Sequence, residues 1–368
     1  MTVKPQKLED SLKMPVQDRA GWLDHGDVVA DLVSIIIPTY NRRHMVGEAI
    51  ESALSQTWDN IEVVVIDDGS TDDTVEMIEK RWGKTHNRQM RLLQQPNQGP
   101  AAARNAAMRA SRGDYLMFLD SDDLLLPDAV AELMTALKNG TAQYAMATVA
   151  IIDSDNQLLD YPIVGVPVQP QNGNIFVSFC ITNSALYKRS LISAAGAYNR
   201  GLLRGEDNEL HWRVAVVGGD GEVVDTVVGV RRIHNQCQLS VDLDETDRLD
   251  IIAQMLEAFR VWALDSHILH GHVLHYYLRQ LLQLATEYGA EGNFDRKAKI
   301  LSVLNQQAPG NQPIRTMAKL LRPNVRTISQ SLNMVFKLGR YFPRRERRLR
   351  YRKTVARDFR WPASISSR

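Results

Sequence analysis

The sequence predicts an α/β protein with a mainly parallel central sheet, followed by a C-terminal helical region. Three observations carry this expectation. Over residues 32–240, short β-branched runs alternate with stretches of helical period, the order that builds a parallel sheet with crossover helices. From Glu245 the apolar residues recur at helical spacing, with Pro309, Pro313 and Pro323 as breaks. Two strand-like runs end in clustered aspartates, at the sheet edge where open parallel sheets bind ligands.

Val33–Ile37 is the first strand. Val46, Ala49, Ile50, Ala53 and Leu54 recur at i, i+3, i+4, i+7 and i+8, an amphipathic helix. Ile61–Ile66 is a second buried strand. Ser70 and Asp73 stand in the capping-box relation and open a helix with Val75, Ile78 and Trp82 on one side. Pro100 suits the first turn of a helix over Ala101–Ala110. Tyr115–Leu119 is a strand, and Pro127 opens a helix carrying Val130, Leu133, Met134 and Leu137. Further strands are expected at Tyr144–Ile152, Ile175–Ile181 and Gly221–Val230, with Gly218–Gly221 as a helix stop and hairpin turn. Ile251, Ile252, Met255, Leu256 and Phe259 begin the helical region, which runs to Phe336. His267, His270, His272 and His275 spread over roughly 200° of a helix, too wide for one tetrahedral metal site, and read as helix-surface residues. The expected organisation is an N-terminal extension (1–31), the sheet domain (32–240), the helical region (241–336) and a basic tail (337–368).

At 44% hydrophobic and 24% charged residues, the chain can bury a sizeable core, which excludes a disordered or fibrous protein. Its longest apolar runs, such as Val63–Ile66, are strand-sized, so no membrane span is expected. A polar start without an apolar stretch argues against a secretory signal. Cys180 and Cys237 match no metal or redox spacing, which fits a reducing cytoplasm. The net charge of +1 conceals an asymmetry: residues 337–368 hold 12 Lys/Arg against two acids. Within that tail Leu349, Val355, Ala356 and Phe359 gather within about 120° of helical arc, so it suits the anionic inner face of a plasma membrane, or is a solvated tail. A nucleic-acid partner is not expected, because the acidic body offers no positive groove.

The chemistry concentrates where strands end. The second strand runs into Asp67-Asp68-Gly69-Ser70, and Tyr115–Leu119 runs into Asp120-Ser121-Asp122-Asp123. Carboxylates crowded at neighbouring strand ends repel one another unless a cation or a donor-rich ligand lies between them. Oxygen-only ligands suit Mg²⁺ or Mn²⁺, usually shared with substrate phosphates. Helix capping accounts for either cluster alone, less well for both. G-x-G-x-x-G, Walker A, H-E-x-x-H and paired C-x-x-C motifs are absent.

Val33-Ser34-Ile35-Ile36-Ile37-Pro38-Thr39-Tyr40-Asn41-Arg42 followed by Ile66-Asp67-Asp68-Gly69-Ser70-Thr71-Asp72 resembles the opening of family 2 glycosyltransferases of the GT-A fold. Asn97-Gln98-Gly99 with Ala103-Arg104-Asn105-Ala106, Asp120-Ser121-Asp122-Asp123 and Gly205-Glu206-Asp207 are similar to that family's later blocks. The resemblance spans Leu32 to Ser240. It implies a nucleotide-sugar donor and a divalent cation, Mn²⁺ or Mg²⁺. Asp68, or Asp67 beside it, would accept from the N–H edge of uracil, with Pro38, Thr39 and Tyr40 lining the base pocket. Arg42 or Arg43 would cover the base or reach the phosphate. Arg104 would hold the Asn97–Gly99 loop, approach the diphosphate, or pair with a sheet-end carboxylate. Asp120, with Ser121 beside it, would accept from the ribose and Asp122 would bind the cation, with His234 as a further metal ligand. Asp123 is an acid behind the metal or, preferably, a turn residue. Asp207 would be the base of an inverting transfer to a hydroxyl of a glycan or lipid-linked acceptor, with Glu206 beside it. Two rivals remain at this point: a sugar-nucleotide nucleotidyltransferase, and a non-catalytic nucleotide-sugar-binding protein.

Overall fold

The computed structural model describes residues 22–23, 27–83, 89–159, 163–164, 182–219, 221–234 and 245–307. The strand expected at 175–181, both cysteines, Ser240 and the basic tail lie outside the described residues. The chain forms two compact units, one holding the described residues up to 234 and the other those from 245.

In the first unit, β1 (Val29–Thr39), β2 (Ile61–Asp67), β3 (Met90–Gln94) and β4 (Gly113–Phe118) are parallel. β5 (Leu124–Leu125), β6 (Tyr144–Ile152), β7 (Ile163–Val164), β8 (Ala185–Lys188) and β9 (Glu222–Arg232) complete one sheet. Its order is β3-β2-β1-β4-β8-β6-β9-β5, with β7 against β6. β8 enters antiparallel between β4 and β6, whereas β6 and β9 are again parallel, so most of the paired length is parallel. This is the mainly parallel sheet that the alternation predicts.

β1 and β2 read as unbroken apolar runs because both faces are covered. Alternate residues serve opposite cores. Ile35, Ile37, Val63 and Val65 pack with Val46 and Ile50 of α1 (Val46–Leu54) and with Leu133 and Met134 of α4 (Ala129–Asn139). Ile36, Val64, Leu116 and Phe118 pack with Ala103 and Ala107 of α3 (Pro100–Ala110), and with Leu191 of α5 (Arg189–Ala195) and Val214 of α6 (Glu206–Gly218).

Three local expectations are corrected. Ser70 does not cap a helix: α2 (Thr74–Trp82) begins later, its Thr74 N–H donates to Asp72 Oδ1 (3.1 Å), and Ser70 Oγ instead accepts from the Asn41 N–H (2.8 Å). Gly218–Gly221 is not a hairpin turn. It joins α6 directly to β9, which lies parallel to β6, and Gly221 is required because a Cβ there would come within 2.3 Å of the Tyr144 ring. The helical region is also interrupted before its first proline. The second unit contains α7 (Glu245–Asp265), α8 (Gly271–Ala290) and α9 (Phe294–Gln307). His267 (φ 58°) and His270 therefore sit in the α7–α8 turn, and His275 is exposed on α8, so no single helix carries the four histidines. Within this unit Tyr288 donates to Asp250 (2.6 Å) and Arg248 pairs with Glu287 (3.3 Å), tying α7 to α8. β3, β8 and α5 went unpredicted: each is short, and β3 carries Arg91 and Gln94 amid its apolar residues.

Candidate functional site

At the carboxyl end of β1 and β2 the backbone joins both strand ends. The Asp68 N–H donates to Thr39 O (2.9 Å). Asn41, in the left-handed region at φ 51°, accepts the Thr71 N–H on its Oδ1 (2.8 Å). The two adjacent aspartates then diverge. Asp68 is saturated: Oδ1 accepts from Gln95 Nε2 (2.7 Å) and the Gln98 N–H (2.9 Å), and Oδ2 from the Gly99 N–H (2.8 Å). It is thus the anchor of the 95–99 loop. Asp67 Oδ2 accepts the Gly69 and Ser70 N–H groups (3.1 and 2.9 Å), but its Oδ1 is buried without a hydrogen-bond partner. Thr39, opposite Asp67 in the ladder, likewise has a buried, unpartnered hydroxyl. Pro38 is buried within β1, and Tyr40 stands 45% exposed just beyond it. Arg43 is turned away, paired with Asp73.

At the end of β4, Asp120, Asp122 and Asp123 each offer an oxygen, and these oxygens lie within 4.8 Å of one another. Ser121 between them is buried. Asp122 Oδ2 meets His234 Nε2 at 3.1 Å and Arg42 Nη2 at 3.6 Å. Burial works against the Asp122 charge, but the His234 hydrogen bond and the Arg42 guanidinium outweigh it and hold its pKa below the usual range. Asp123 goes the other way. Burial, then the charges of Asp122 and Asp120, push it well above the usual range, against the Arg232 N–H that donates to it (3.0 Å). Asp123 is thus more than a turn residue, although its N–H does close a turn on Asp120 O (3.1 Å). Hard oxygen ligands under mutual repulsion fit Mg²⁺ or Mn²⁺, whose charge would relieve that repulsion. Arg232 buttresses this edge, donating to Asp122 O and pairing with Glu48.

The third part is the start of α6. Gly205, at φ 76°, turns the chain into the helix. Glu206 is buried and paired with Arg104 (2.8 Å). Asp207 is half-buried, its Oδ1 accepting from the Asn208 N–H at 2.8 Å. Burial first, then the charge of Glu206, raises its pKa to about 7, with Arg104 opposing. Arg104 does not hold the Asn97–Gly99 loop. Its guanidinium bridges Asp120 (2.7 Å) and Glu206 (2.8 Å) over the Tyr198 ring, so the sheet-end salt bridge is its observed role. Burial opposes its charge, but Asp120, Tyr198, Glu206 and Asp207 surround it and drive its pKa upward.

The fold thus gathers Arg42, Arg104, Asp120, Asp122, Asp123, Glu206 and His234 into linked contacts, while Thr39 and Asp67 form a separate pair beside Asp68. Sequence reasoning missed Asn41, Gln95, Gln98, Glu48 and Tyr198 as parts of this edge. Asn41 and Gln98 lie within the motifs quoted above and Gln95 flanks one, but nothing local to Glu48 or Tyr198 marks them.

The profile of the family described as "Glycosyl transferase family 2" matches residues 34–196. A chondroitin synthase and a hyaluronan synthase of Pasteurella multocida are each 42% identical over 129 residues, which is 35% of this chain and 13% of theirs. The putative glycosyltransferase EpsH of Bacillus subtilis is 30% identical over 168 residues, 44% of this chain and 48% of its own. The chain thus spans less than half the length of each of these relatives. Among solved structures, S. aureus TarS 1-349 in complex with UDP superposes with a TM-score of 0.53 at 18% identity, covering 82% of this chain and 91% of that one. The same protein in complex with UDP-GlcNAc gives 0.51. That likeness is one of fold. Asp207 lies beyond the matched segment, so its place rests on the geometry above. Residues 34–196, which carry both aspartate clusters at one sheet edge, match glycosyl transferase family 2.

Proposed function

We propose that the chain is an inverting, metal-dependent glycosyltransferase, of hexosyl- or N-acetylhexosaminyltransferase type. It moves a sugar from a UDP-linked donor to a hydroxyl of a glycan or lipid-linked acceptor in cell-surface polysaccharide synthesis. One observation carries the reading: Asp207, with a pKa near 7, is linked through Glu206 and the Arg104 bridge to the Asp120 end of the acidic cluster. A carboxylate poised near neutrality is what general-base catalysis asks for.

Asp67 Oδ1 and the Thr39 hydroxyl present a buried acceptor and donor on paired strands, which match the N–H and C=O edge of uracil. Asp68 is spent on its loop, so Asp67 is the better base-edge acceptor. Tyr40 lies beside that edge, Asp120 accepts from the ribose, and Arg42 faces the phosphates. Asp122, with Asp123 and His234, would hold Mg²⁺ or Mn²⁺. When bound, that ion neutralises charge on the departing diphosphate. Asp207 takes the proton of the acceptor hydroxyl as its oxygen attacks the anomeric carbon, so inversion needs no enzyme nucleophile. The UDP and UDP-GlcNAc complexes of the TarS fold relative and the polysaccharide synthases among the relatives support this donor and product class. A nucleotidyltransferase leaves Asp207 without a task, and a non-catalytic binder has no use for its raised pKa.

Among the described residues no helix is long and apolar enough to cross a membrane. The basic tail supports peripheral attachment to an anionic leaflet on the cytoplasmic face, and unchanged vesicle binding after deletion of residues 344–368 would remove that part. The central test is a panel of nucleotide sugars with and without Mn²⁺. Mn²⁺-stimulated release of UDP is expected. Release of pyrophosphate would identify a nucleotidyltransferase, and neither binding nor turnover of any donor would overturn the reading.

A further inference from the structure

The segment between α5 and α6 leads directly to Asp207, and it is held firmly. Asn105 Nδ2 donates to Tyr198 O and Asn105 Oδ1 accepts the Tyr198 N–H, both at 2.9 Å. Asn199 is buried, its Oδ1 accepting the Gly201 N–H (2.9 Å) and its carbonyl the Leu202 N–H (3.2 Å). Leu202 is buried as well, and Arg200 donates to Gln98 Oε1 (2.8 Å) in the loop that Asp68 anchors. Yet on this fixed base Leu203 stands 70% exposed, more than any other exposed large apolar side chain among the described residues. The partly buried Arg204 next to it makes no hydrogen bond or ion pair with a described residue. Arg200 also lies close enough to Arg109 that its charge, after burial, lowers the pKa of Arg109. A fixed loop that holds a leucine in water beside a guanidinium without a partner among the described residues is unfavourable by itself. A ligand with an apolar face and a negative charge relieves both costs.

The position says which ligand. Arg204 and Asp207 are three positions apart in the chain, so their Cα atoms are at most about 11 Å apart, within the span of an oligosaccharide whose hydroxyl reaches the base. The donor side of the site is built from other elements, at the ends of β1, β2 and β4. We propose that residues 200–204 form the acceptor subsite, and that the acceptor carries an anionic group, carboxylate or phosphate, which Arg204 binds while Leu203 packs on the C–H face of the adjoining sugar ring. This rests on the glycosyltransferase reading and deepens it by assigning the acceptor its chemical class.

The test measures binding to the full chain in the presence of UDP and Mn²⁺. The probes are a tetrasaccharide ending in glucuronate, the same tetrasaccharide with that carboxylate reduced to the alcohol, and a third ending in a sugar 6-phosphate. At least one anionic probe should bind tenfold or more tighter than the neutral one, and which one wins distinguishes carboxylate from phosphate. Arg204→Gln should weaken that probe at least tenfold, Arg204→Lys should retain most of the affinity, and Leu203→Ser should weaken neutral and anionic probes alike. UDP affinity should be the same in all variants. Equal binding of neutral and anionic probes, or full affinity in Arg204→Gln, overturns the acceptor assignment while UDP binding leaves the donor reading standing. Absence of UDP binding in the wild type removes both.

Discussion

The two edges of the parallel sheet each bury carboxylates, and they use them oppositely. At the amino edge Glu62 accepts from Ser34 Oγ (2.6 Å), the Gly113 N–H (3.2 Å), the Arg112 N–H and Arg91 Nη2 (3.0 Å). Burial raises its pKa, but those donors and the charges of Arg91 and Arg112 overcome it and bring it below the usual range. At the carboxyl edge Asp207 accepts only from its neighbour Asn208 among the described residues and faces Glu206 and Asp120, and its pKa rises to about 7. Burial is common to both. The number of donors and the sign of the neighbouring charges decide whether a buried acid is mortar or machinery.

The largest effect expected from this contrast is in Asp207→Asn. Its kcat should fall by about 10²–10⁴-fold, as loss of a general base does, with UDP affinity unchanged. The variant should also be more heat-stable than the wild type at pH 8. Because the folded pKa of Asp207 lies above its unfolded value, the folded state holds the proton more tightly, and wild-type stability declines as pH rises between the two. Below about pH 4, near the unfolded pKa, the two proteins should converge. Lost UDP affinity with intact kcat would make Asp207 a binding residue and turn attention to Glu206.

Next in size, Asp122→Asn should weaken Mn²⁺ binding by about 100-fold or more, since even supporting partners of a metal site are worth tenfold to a hundredfold. A Mn²⁺ titration of donor turnover reads this directly, and undiminished stimulation would remove Asp122 from the metal site. Glu62→Gln should behave as the mirror image of Asp207→Asn. It should cost about 2 kcal/mol of stability by leaving buried donors poorly paired, while kcat of the folded protein stays at the wild-type value. Because the folded pKa of Glu62 is lowered, its contribution is present above the unfolded pKa of about 4.5 and disappears as pH falls through the folded value. A kcat defect in a folded Glu62→Gln protein would break the comparison. The smallest effect is the pH profile. kcat/KM should be about tenfold lower at pH 6 than at pH 8, with an acid limb near 7 that is absent from the residual activity of Asp207→Asn.

Local regularity made much of this legible in advance. The runs at Val33–Ile37 and Ile61–Ile66 have one structural solution, strands buried on both faces, and the apolar stripe of α1 follows from its period alone. The aspartates directly after Ile61–Ile66 and Tyr115–Leu119 had to emerge at one edge of a parallel sheet. Turn chemistry was less dependable: Ser70 had the spacing of a capping box, but Asn41 from another strand end claimed its hydroxyl. Chain order likewise said nothing of β8 slipping antiparallel between β4 and β6, because a four-residue strand carries too few residues to declare its partners.

By itself, the sequence determined the alternation of strands and helices, the clustering of acids beyond β2 and β4, and the placement of Asp207 at a helix start. These are properties of neighbouring residues and of one repeating burial pattern. Only the tertiary structure decided that Asp68 anchors a loop while Asp67 keeps an unpartnered oxygen, that Arg104 bridges Asp120 to Glu206, and that burial and like charges raise the pKa of Asp123 while His234 and Arg42 lower that of Asp122. Hydrogen-bond partners and neighbouring charges come from residues tens to more than a hundred positions apart, and their assignment depends on where the chain returns in space.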